Sequence, residues 1–343
     1  MKINMITGQK KISKVFDIKN FGGMGTQAPL LRTELAKRGY DVDIEGDGFD
    51  YDIIHLHTPL YSPFKIRKIK RKKIRFVIHA RHLPELVLDS FKGAKIIHPI
   101  YYRYSRWYYD QADVVICASK YSHDVLRELG ASCKIVQIPN GISRERFFPD
   151  QEARAAFRKK HGFKDDDIVI INVGLRIARK GIFDFIDVAK KMLKDSRYKF
   201  IWVGGGEVGL DTIKVDGGMP KNIEFIEYVP FEEMNGAYNG SDIFFFPTYA
   251  ESYGNVPFEA AAAGKALVIR DIKIYHQWFV DGENCLKAKT IDGYVKAIQS
   301  ISDDSGLRER LSKGAMELAE DHDHPKTIQM LADMYDRLME DDL

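Results

Sequence analysis

An apolar run, a short polar loop and an alanine-rich segment follow one another between residues 242 and 264. The run ends at Pro247, the loop contains Gly254 and Asn255, and Pro257 opens the alanine-rich segment. Proline suits the first turn of a helix, because the N–H that it lacks has no partner there. The stretch therefore predicts a strand that leads through a loop into a helix, as in an α/β protein.

Two glutamates lie where this loop meets the helix. Glu251 belongs to the loop and Glu259 to the helix. Backbone N–H groups of Gly254, Asn255 and Val256 lie at the positive end of the helix dipole, which suits a phosphate. A carboxylate accepts two hydrogen bonds and so suits the vicinal hydroxyls of a ribose or hexose. Together these groups predict a nucleotide-sugar site, whereas the alternative is two charges on a solvated helix.

The chain is long enough for two domains. Its 343 residues exceed one usual core, and about 150 residues per domain is the common size. We predict α/β domains at 1–150 and 160–320, a linker near 149–162 and a final helix at 321–343.

Composition narrows the class of protein. No segment reaches the roughly 20 apolar residues that span a bilayer, and no signal-peptide pattern is present, so we expect a cytoplasmic protein. The three cysteines are too few and too scattered for a disulfide framework or a zinc site. Residues 1–150 hold 26 Lys and Arg against 16 Asp and Glu, although the whole chain carries only +3. A basic first half suggests an anionic partner.

Glycines near the N-terminus predict a ligand-binding loop. Gly22, Gly23 and Gly25 stand between a first strand at 2–7 and a helix with a leucine face. They predict a glycine turn at the ligand edge of a sheet. A dinucleotide-binding loop is the alternative, and the long insert at 9–20 argues against it.

Histidines mark two further predicted strands. His55 and His57 share one face of a strand, and His79 ends the strand at 75–79. An H-x-H pair can ligate a metal, but no third ligand stands at a convincing spacing, so we predict no metal site. The D-x-D triplet at 50–52 is better explained by a solvated turn.

A basic segment follows Pro63. Eight of the eleven residues from Lys65 to Arg75 are Lys or Arg. Ile66 and Ile69 stand three apart, so a helix here would carry a thin apolar ridge between cations, as interfacial helices do. A solvated helix face and a nucleic-acid patch are the alternatives. The predicted membrane contacts, which include one aromatic residue of the run 101–109, are Lys65, Arg67, Lys68, Arg71, Lys72 and Trp107.

Cations of the second domain can reach a diphosphate. Lys180 precedes a glycine and a predicted helix, and Arg176 lies four residues earlier. A lysine acts on a phosphate as a point charge and an arginine as a fork. Arg179 is a rival for the role of Arg176.

A glycine pattern keeps one other enzyme class open. Gly204, Gly206 and Gly209 follow a predicted strand as G-x-G-x-x-G, with Glu224 twenty residues past the first glycine. An NAD-dependent oxidoreductase is therefore an alternative. No uninterrupted helix follows the glycines, and we find no hydride-transfer site.

Several strings carry a family resemblance. The Glu-x7-Glu spacing at 251–259, with P-x-x-x-E before it and E-A-x-A-x-G after it, resembles the donor-site signature of retaining GT-B glycosyltransferases of family 4. RKGIFDFIDVAKK, YKFIWVG and VIRDIKIYHQWFVDGENC resemble the subgroup that glucosylates diacylglycerol. The resemblance implies two Rossmann-like domains that face a central cleft, with a C-terminal helix packing back toward the N-terminal, acceptor-side domain.

The resemblance also implies roles in donor binding. Glu251 would hold the hexose hydroxyls, Glu259 the ribose diol, and the backbone at Val229 the base. Lys180 and Arg176 would stabilise the departing diphosphate. The family places its arginine directly after the glycine, where this chain has a leucine.

In the first domain the resemblance implies that His79, or its neighbour His82, contacts the transferred sugar or the donor phosphate. It places Gly22 and Gly23 between donor phosphates and acceptor. The subgroup implies UDP-glucose as donor, a diacylglycerol-type acceptor, no cofactor and no essential metal. We expect peripheral attachment to an anionic membrane surface and no nucleic-acid partner. A soluble or polysaccharide acceptor, and a non-catalytic sugar- or lipid-binding module, are the alternatives.

Overall fold

A computed structural model describes residues 1–8, 22–59, 61–81, 83–84, 94–205 and 218–343, with only the backbone at 22–27 and 94–96. The chain divides into two compact units. Unit 1 contains Met1–Gly141 and Pro325–Leu343, and unit 2 contains Ile142–His324.

Unit 1 is built on a six-stranded parallel sheet of order β2-β1-β3-β4-β5-β6. The strands are β1 (Lys2–Ile6), β2 (Asp41–Ile44), β3 (Ile53–Leu56), β4 (Arg75–His79), β5 (Val114–Cys117) and β6 (Lys134–Gln137). Between them lie α1 (Gly22–Ala36), α2 (Pro63–Arg71), α3 (Ala94–Tyr109) and α4 (Lys120–Glu128). The chain moves one way from β1 to β2 and the other way from β3 onward. The strand order therefore reverses between β1 and β3, where ligands bind in sheets of this type.

The helix α2 turns its two isoleucines inward. Ile66 and Ile69 are 1% and 0% exposed and belong to a core that also contains Tyr108 and Tyr109 of α3. The apolar ridge expected at a membrane is therefore packed on the sheet, and that expectation was wrong. Residues three apart lie on the same face of a helix, and an apolar face is more stable against the protein core than in water. The cations of α2 stay outside.

Unit 2 holds a second six-stranded parallel sheet, of order β12-β11-β10-β7-β8-β9. Its strands are β7 (Ile168–Val173), β8 (Tyr198–Val203), β9 (Ile223–Ile226), β10 (Ile243–Phe246), β11 (Ala266–Arg270) and β12 (Leu286–Ala288). Its helices are α5 (Gln151–His161), α6 (Ile182–Lys191), α7 (Met234–Gly240), α8 (Asn255–Ala262), α9 (Ile291–Asp303) and α10 (Ser305–Asp321). This is the doubly wound order of dinucleotide-binding folds, and it reverses between β7 and β10.

The predicted linker at 149–162 was wrong, because α5 occupies most of it. Asp150 caps this helix by accepting from the N–H of Ala153 at 2.9 Å. Arg158 of α5 donates to the carbonyl of Gly240 and to Asp242 at 3.2 and 3.3 Å, so the helix is part of unit 2. The two units part between Gly141 and Ile142 instead.

Two helices begin earlier than the sequence pattern predicts. Gly22 and Gly23 form the first turn of α1 and not a loop in front of it. Asn255 begins α8, so that Pro257 stands at its third residue. Both shifts stay within the first helical turn, where N–H groups need no intrahelical partner.

The last helix, α11 (His324–Met339), packs on the sheet of unit 1. Its apolar stripe is buried, with at most 5% exposure for each of Ile328, Leu331, Tyr335 and Leu338. Within the described ranges, no helix combines the length and apolarity that a membrane span requires.

Candidate functional site

The strand order of unit 2 brings two loops together. β7 and β10 are neighbours in the sheet, with Ile170 beside Ile243, although more than 60 residues separate them in the sequence. The loops that follow these strands meet at Gly181 and Pro247. A Cβ on Gly181 would lie 2.3 Å from the Pro247 carbonyl oxygen, and Gly181 has a φ of 79°. Only glycine permits this contact.

An ion pair joins the two loops. Lys180 donates to Oε1 of Glu251 at 2.5 Å, and Thr248 donates to the same oxygen at 2.9 Å. The side chains of Lys180 and Glu251 are 15% and 8% exposed. Arg179 lies 3.9 Å from Oε2. Lys180 and Thr248 thus anchor Oε1, whereas Arg179 is too far from Oε2 for a hydrogen bond.

The two candidate arginines lie in different surroundings. Arg179 donates to the carbonyl of Ala250 at 2.7 Å, beside Glu251. Arg176 instead pairs with Glu227 at 3.2 Å and stacks over the ring of Phe225 at 5.5 Å, toward β9. Glu227 is 81% exposed along its side chain, so this pair holds Arg176 only weakly. The role of Arg176 stays a prediction, and Arg179 is the arginine that adjoins Glu251.

The Gly254 turn carries the chain from Glu251 into α8. Gly254 has a φ of 78° and precedes the helix without a side-chain cap. Asn255 and Val256 then form the first turn of α8. The N-terminus of this helix therefore lies at the carboxyl edge of the sheet, close to the Lys180–Glu251 pair.

Glu259 lies one turn inside α8. Tyr238 of α7 donates to its carboxylate at 2.8 Å. Burial of the carboxyl group raises the pKa of Glu259 to about 7, and the hydrogen bond from Tyr238 and the charge of Arg146 act in the opposite direction. The solvent exposure of Glu259 as a whole residue is intermediate, so water still reaches part of it. This carboxylate therefore changes charge near neutral pH.

The remaining donor-site candidate, Val229, follows β9 in a loop before a short 3₁₀ helix at Phe231–Glu233. It lies at the same carboxyl edge as the loops after β7 and β10, since all six strands are parallel.

The dinucleotide pattern has another explanation. A Cβ on Gly204 would lie 2.1 Å from the carbonyl oxygen of Gly174, so the close approach of two strand ends requires this glycine. Gly206 and Gly209 lie outside the described residues. Glu224, the carboxylate expected at a ribose, binds His161 at 2.8 Å. Packing thus accounts for Gly204, and the contact with His161 accounts for Glu224.

Unit 1 brings three histidines together at its own sheet edge. His55, His57 and His79 are at most 8% exposed, and one nitrogen of each lies within 4.8 Å of the others. The argument that no third ligand accompanies the H-x-H pair was therefore wrong, because β3 and β4 are adjacent and place His79 beside it.

Arg81 counts against a cation among these rings. Its Nε–H donates to Nδ1 of His57 at 3.1 Å. In a neutral imidazole only one nitrogen has a lone pair. Because Nδ1 of His57 accepts a hydrogen bond, the proton is on Nε2, and Nε2 has no lone pair for a metal. Burial lowers the pKa of all three histidines, with the charge of Arg81 as a further cause in each, so the rings are neutral. Neutral imidazole is the form that ligates metals, so the expectation of no metal rests on the hydrogen bond from Arg81 alone and stays a prediction.

Comparison with known proteins identifies the family. Residues 153–318 match the family described as glycosyl transferases group 1, and residues 45–146 match glycosyltransferase family 4. The processive diacylglycerol alpha-glucosyltransferase of Acholeplasma laidlawii is 32% identical over 255 residues, which cover 73% of this chain and 75% of that protein. This chain belongs to the GT-B glycosyltransferases of family 4.

Further similarities extend over the whole glycosyltransferase. The alpha-galactosylglucosyldiacylglycerol synthase of Streptococcus pneumoniae is 25% identical over 98% of this chain and 90% of its own length. Sucrose-phosphate synthase from Thermosynechococcus elongatus superposes with a TM-score of 0.82 at 16% identity, over 99% of both chains. Anabaena HepE, solved in complex with UDP-glucose, gives a TM-score of 0.75 at 15% identity, over 98% of this chain and 99% of its own. The two structures confirm the GT-B fold.

The glycosyltransferase also carries a basic and apolar surface on unit 1. A groove of about 530 Å³ lies between α2 and α3. Phe64 at its edge is 85% exposed and Trp107 is 40% exposed. The groove is lined by Pro63, Phe64, Ile66, Arg67, Lys70, Arg71, Trp107 and Gln111. The other cations predicted at a membrane are Lys65, Lys68 and Lys72, and all three are exposed.

Sequence reasoning missed Thr248, Tyr238 and the position of Arg179. Thr248 stands three residues before Glu251, within P-x-x-x-E, but its hydrogen bond depends on the fold of the loop. Tyr238 comes from α7, 21 residues before Glu259, and only packing brings the two together.

Proposed function

We propose that this glycosyltransferase moves a glucose from UDP-glucose to a diacylglycerol-type glycerolipid at an anionic membrane surface, with retention of configuration and without a metal. The observation that carries the proposal is the Lys180–Glu251 pair of 2.5 Å beside the N-terminus of α8, at the point where the strand order of unit 2 reverses. Ligands bind at this point in doubly wound sheets. A cation, helix N–H groups and a carboxylate match the diphosphate and the hydroxyls of a nucleotide sugar.

In the proposed reaction the groups of unit 2 stabilise charge as it develops. The bond between C1 of the sugar and the diphosphate oxygen breaks, and negative charge builds on the diphosphate. Lys180, an arginine of the 176–179 stretch and the N–H groups at 254–256 stabilise that charge. The acceptor hydroxyl attacks C1 from the same face, and its proton passes to the departing diphosphate. No side chain acts as a covalent nucleophile.

The two glutamates take different parts of the donor. Oε2 of Glu251 accepts from the hexose hydroxyls, while Oε1 stays with Lys180 and Thr248. Glu259 accepts from the ribose diol, and the loop at Val229 meets the base. The contacts of His79, Gly22 and Gly23 with substrate stay predictions from the family resemblance.

A lipid acceptor is supported by two independent facts. Both glycosyltransferase relatives described above have names that place diacylglycerol in their reaction. The exposed face of α2 carries a row of cations, and each Lys or Arg near an anionic surface contributes about 1 kcal/mol of attraction. Exposed Phe64 and Trp107 border the same groove and suit a shallow apolar contact. Peripheral attachment through this face would bring the enzyme to its acceptor.

The deciding experiment supplies labelled UDP-glucose, UDP-galactose and GDP-mannose to the purified chain. The acceptors are diacylglycerol in anionic vesicles, diacylglycerol in neutral vesicles, and a soluble glycan. We expect an α-glucosyl lipid, formed fastest on anionic vesicles, and equal rates with and without excess EDTA. The anomeric coupling constant of the product reports retention.

Transfer to the soluble glycan alone would overturn the lipid acceptor, and a preference for another donor would overturn UDP-glucose. Activity lost in EDTA and restored by manganese would show that a metal does take part. Stabilisation by NAD but by none of the nucleotide sugars would overturn the whole proposal.

A further inference from the structure

Tyr275 carries a buried hydroxyl for which the described residues provide no hydrogen-bond partner. The residue lies in the 3₁₀ helix Lys273–Gln277 that follows β11 and is 0% exposed. Buried hydroxyls are nearly always paired, because an unpaired one forfeits its hydrogen bonds to water. A function in the liganded state is one reason to keep such a group.

The hydroxyl lies against the turn that presents the donor site. A Cβ placed on Gly254 would be 2.6 Å from Oη of Tyr275, 3.4 Å from Cγ of Glu251 and 3.7 Å from its Cδ. The hydroxyl of Tyr275 and the side chain of Glu251 therefore both border the Gly254 turn. Burial and, after it, the charge of Glu251 raise the pKa of Tyr275, so the hydroxyl keeps its proton as a donor.

Glu251 has room for one more hydrogen bond. Its Oε1 already accepts from Lys180 and Thr248. Arg179 lies 3.9 Å from Oε2, which is beyond hydrogen-bond distance. The terminal torsion of a glutamate is broad, so its carboxylate turns at little cost.

We propose that Tyr275 is a positioning residue for Glu251. When the diphosphate of a nucleotide sugar draws Lys180 toward itself, the carboxylate of Glu251 turns, and Tyr275 donates its O–H to it. This hydrogen bond to a charged acceptor holds Glu251 for a hydroxyl of the transferred sugar. The inference rests on the proposed function of the site and adds to it a residue that acts through Glu251 without touching the substrate.

The test compares Tyr275→Phe with Tyr294→Phe. Tyr294 is also fully buried, and the described residues give its hydroxyl no hydrogen-bond partner. Its ring packs on Phe245 at 4.9 Å and lies beside Arg270, whereas Tyr275 borders the Gly254 turn. Phenylalanine keeps the ring packing and removes only the oxygen in both variants. The readouts are kcat, the KM for UDP-glucose, the affinity for free UDP and the Tm without ligand.

We expect kcat of Tyr275→Phe to fall about tenfold, as for one lost hydrogen bond to a charged group. Its affinity for UDP and its unliganded Tm should match the wild type, because the hydroxyl is unpaired before the donor binds. Tyr294→Phe should match the wild type in all four readouts.

An unchanged kcat in Tyr275→Phe would overturn the inference and leave the proposed function standing, since the wild type would still turn over. A drop in unliganded Tm together with UDP affinity would overturn it too, because the hydroxyl would then be a structural group of the unliganded fold. A wild type that neither binds nor consumes a nucleotide sugar would overturn both proposals.

Discussion

The carboxyl edges of the two sheets carry opposite kinds of chemistry. In unit 1 the edge presents three buried neutral imidazoles and a partly buried arginine, Arg81. In unit 2 the corresponding edge presents an ion pair, a helix N-terminus and a carboxyl group that titrates near neutral pH. Both edges lie where a parallel strand order reverses, so the architecture makes each a place for a ligand. The side chains, and not the architecture, decide which ligand each can hold.

The largest effect should come from the ion pair of unit 2. Lys180→Ala should lower kcat about 100- to 1000-fold, as for other groups that stabilise charge in a transition state. Steady-state kinetics with UDP-glucose measure the change. Lys191→Ala, which removes an exposed lysine paired with Asp292, is the control and should leave kcat unchanged. A Lys180 variant with nearly normal kcat would show that the pair is structural.

A smaller effect tests whether the basic face of unit 1 serves a membrane. Replacing Arg67, Lys68, Arg71 and Lys72 by Gln removes four cations that contribute about 1 kcal/mol each near an anionic surface. Binding to anionic vesicles at low salt should weaken about 100-fold or more, since 1.4 kcal/mol is tenfold. Cosedimentation at several salt concentrations measures it, and the wild type should dissociate as salt rises.

The matched control changes four exposed lysines of unit 2 to Gln, namely Lys159, Lys194, Lys296 and Lys313. Equal loss in both variants would show that net charge and not the face of α2 determines binding. A pellet fraction that ignores salt would assign the contact to apolar insertion of Phe64 and Trp107.

Donor affinity should depend on pH through Glu259. Its pKa of about 7 means that the carboxyl group is mostly protonated at pH 6 and ionised at pH 8. The ionised form accepts two hydroxyls, so UDP affinity should fall up to about tenfold from pH 8 to pH 6. Glu259→Gln should bind more weakly at pH 8 and lose this pH dependence. Calorimetric titration with UDP at both pH values measures these affinities. If Glu259→Gln binds UDP as tightly as the wild type does, Glu259 does not bind the ribose diol.

The smallest effect concerns how the free energy of unfolding changes with pH. Buried groups of the two units change it in opposite directions. Burial lowers the pKa of His55 to about 3 from its ordinary 6.5. The unfolded chain therefore binds protons that the folded chain excludes, so this contribution to stability is complete above pH 6.5 and is lost as pH falls. The raised pKa of Glu259 acts the other way, since folding favours its protonated form between pH 4.5 and 7.

Urea unfolding between pH 6.5 and 5 separates these contributions. Each buried neutral histidine should add a slope of about 1.4 kcal/mol per pH unit. His55→Phe should reduce the slope, whatever it does to the baseline stability. Identical slopes in the variant and the wild type would show that His55 takes up a proton in the folded state.

How much the sequence could predict differs between the two edges. Apolar runs placed the strands at 2–7 and 75–79 within one residue of their bounds in the structure. The motif around Glu251 and Glu259 pointed to a nucleotide-sugar site, which stays a proposal. Both depend on residues close together in the sequence. The same local patterns misplaced the linker, because an amphipathic helix with an aspartate cap looks like a polar connection until its partner is known.

The sequence by itself determined that this chain is an α/β protein with Lys180, Glu251 and Glu259 as candidate ligands of a nucleotide sugar. Tertiary structure decided which groups meet. The pairing of β7 with β10 joined Lys180 to Glu251, and the pairing of β3 with β4 added His79 to the H-x-H pair. Packing on the sheet turned Ile66 and Ile69 inward. Periodicity is a property of neighbouring residues, whereas strand order and burial depend on contacts between residues far apart, so no local pattern contains them.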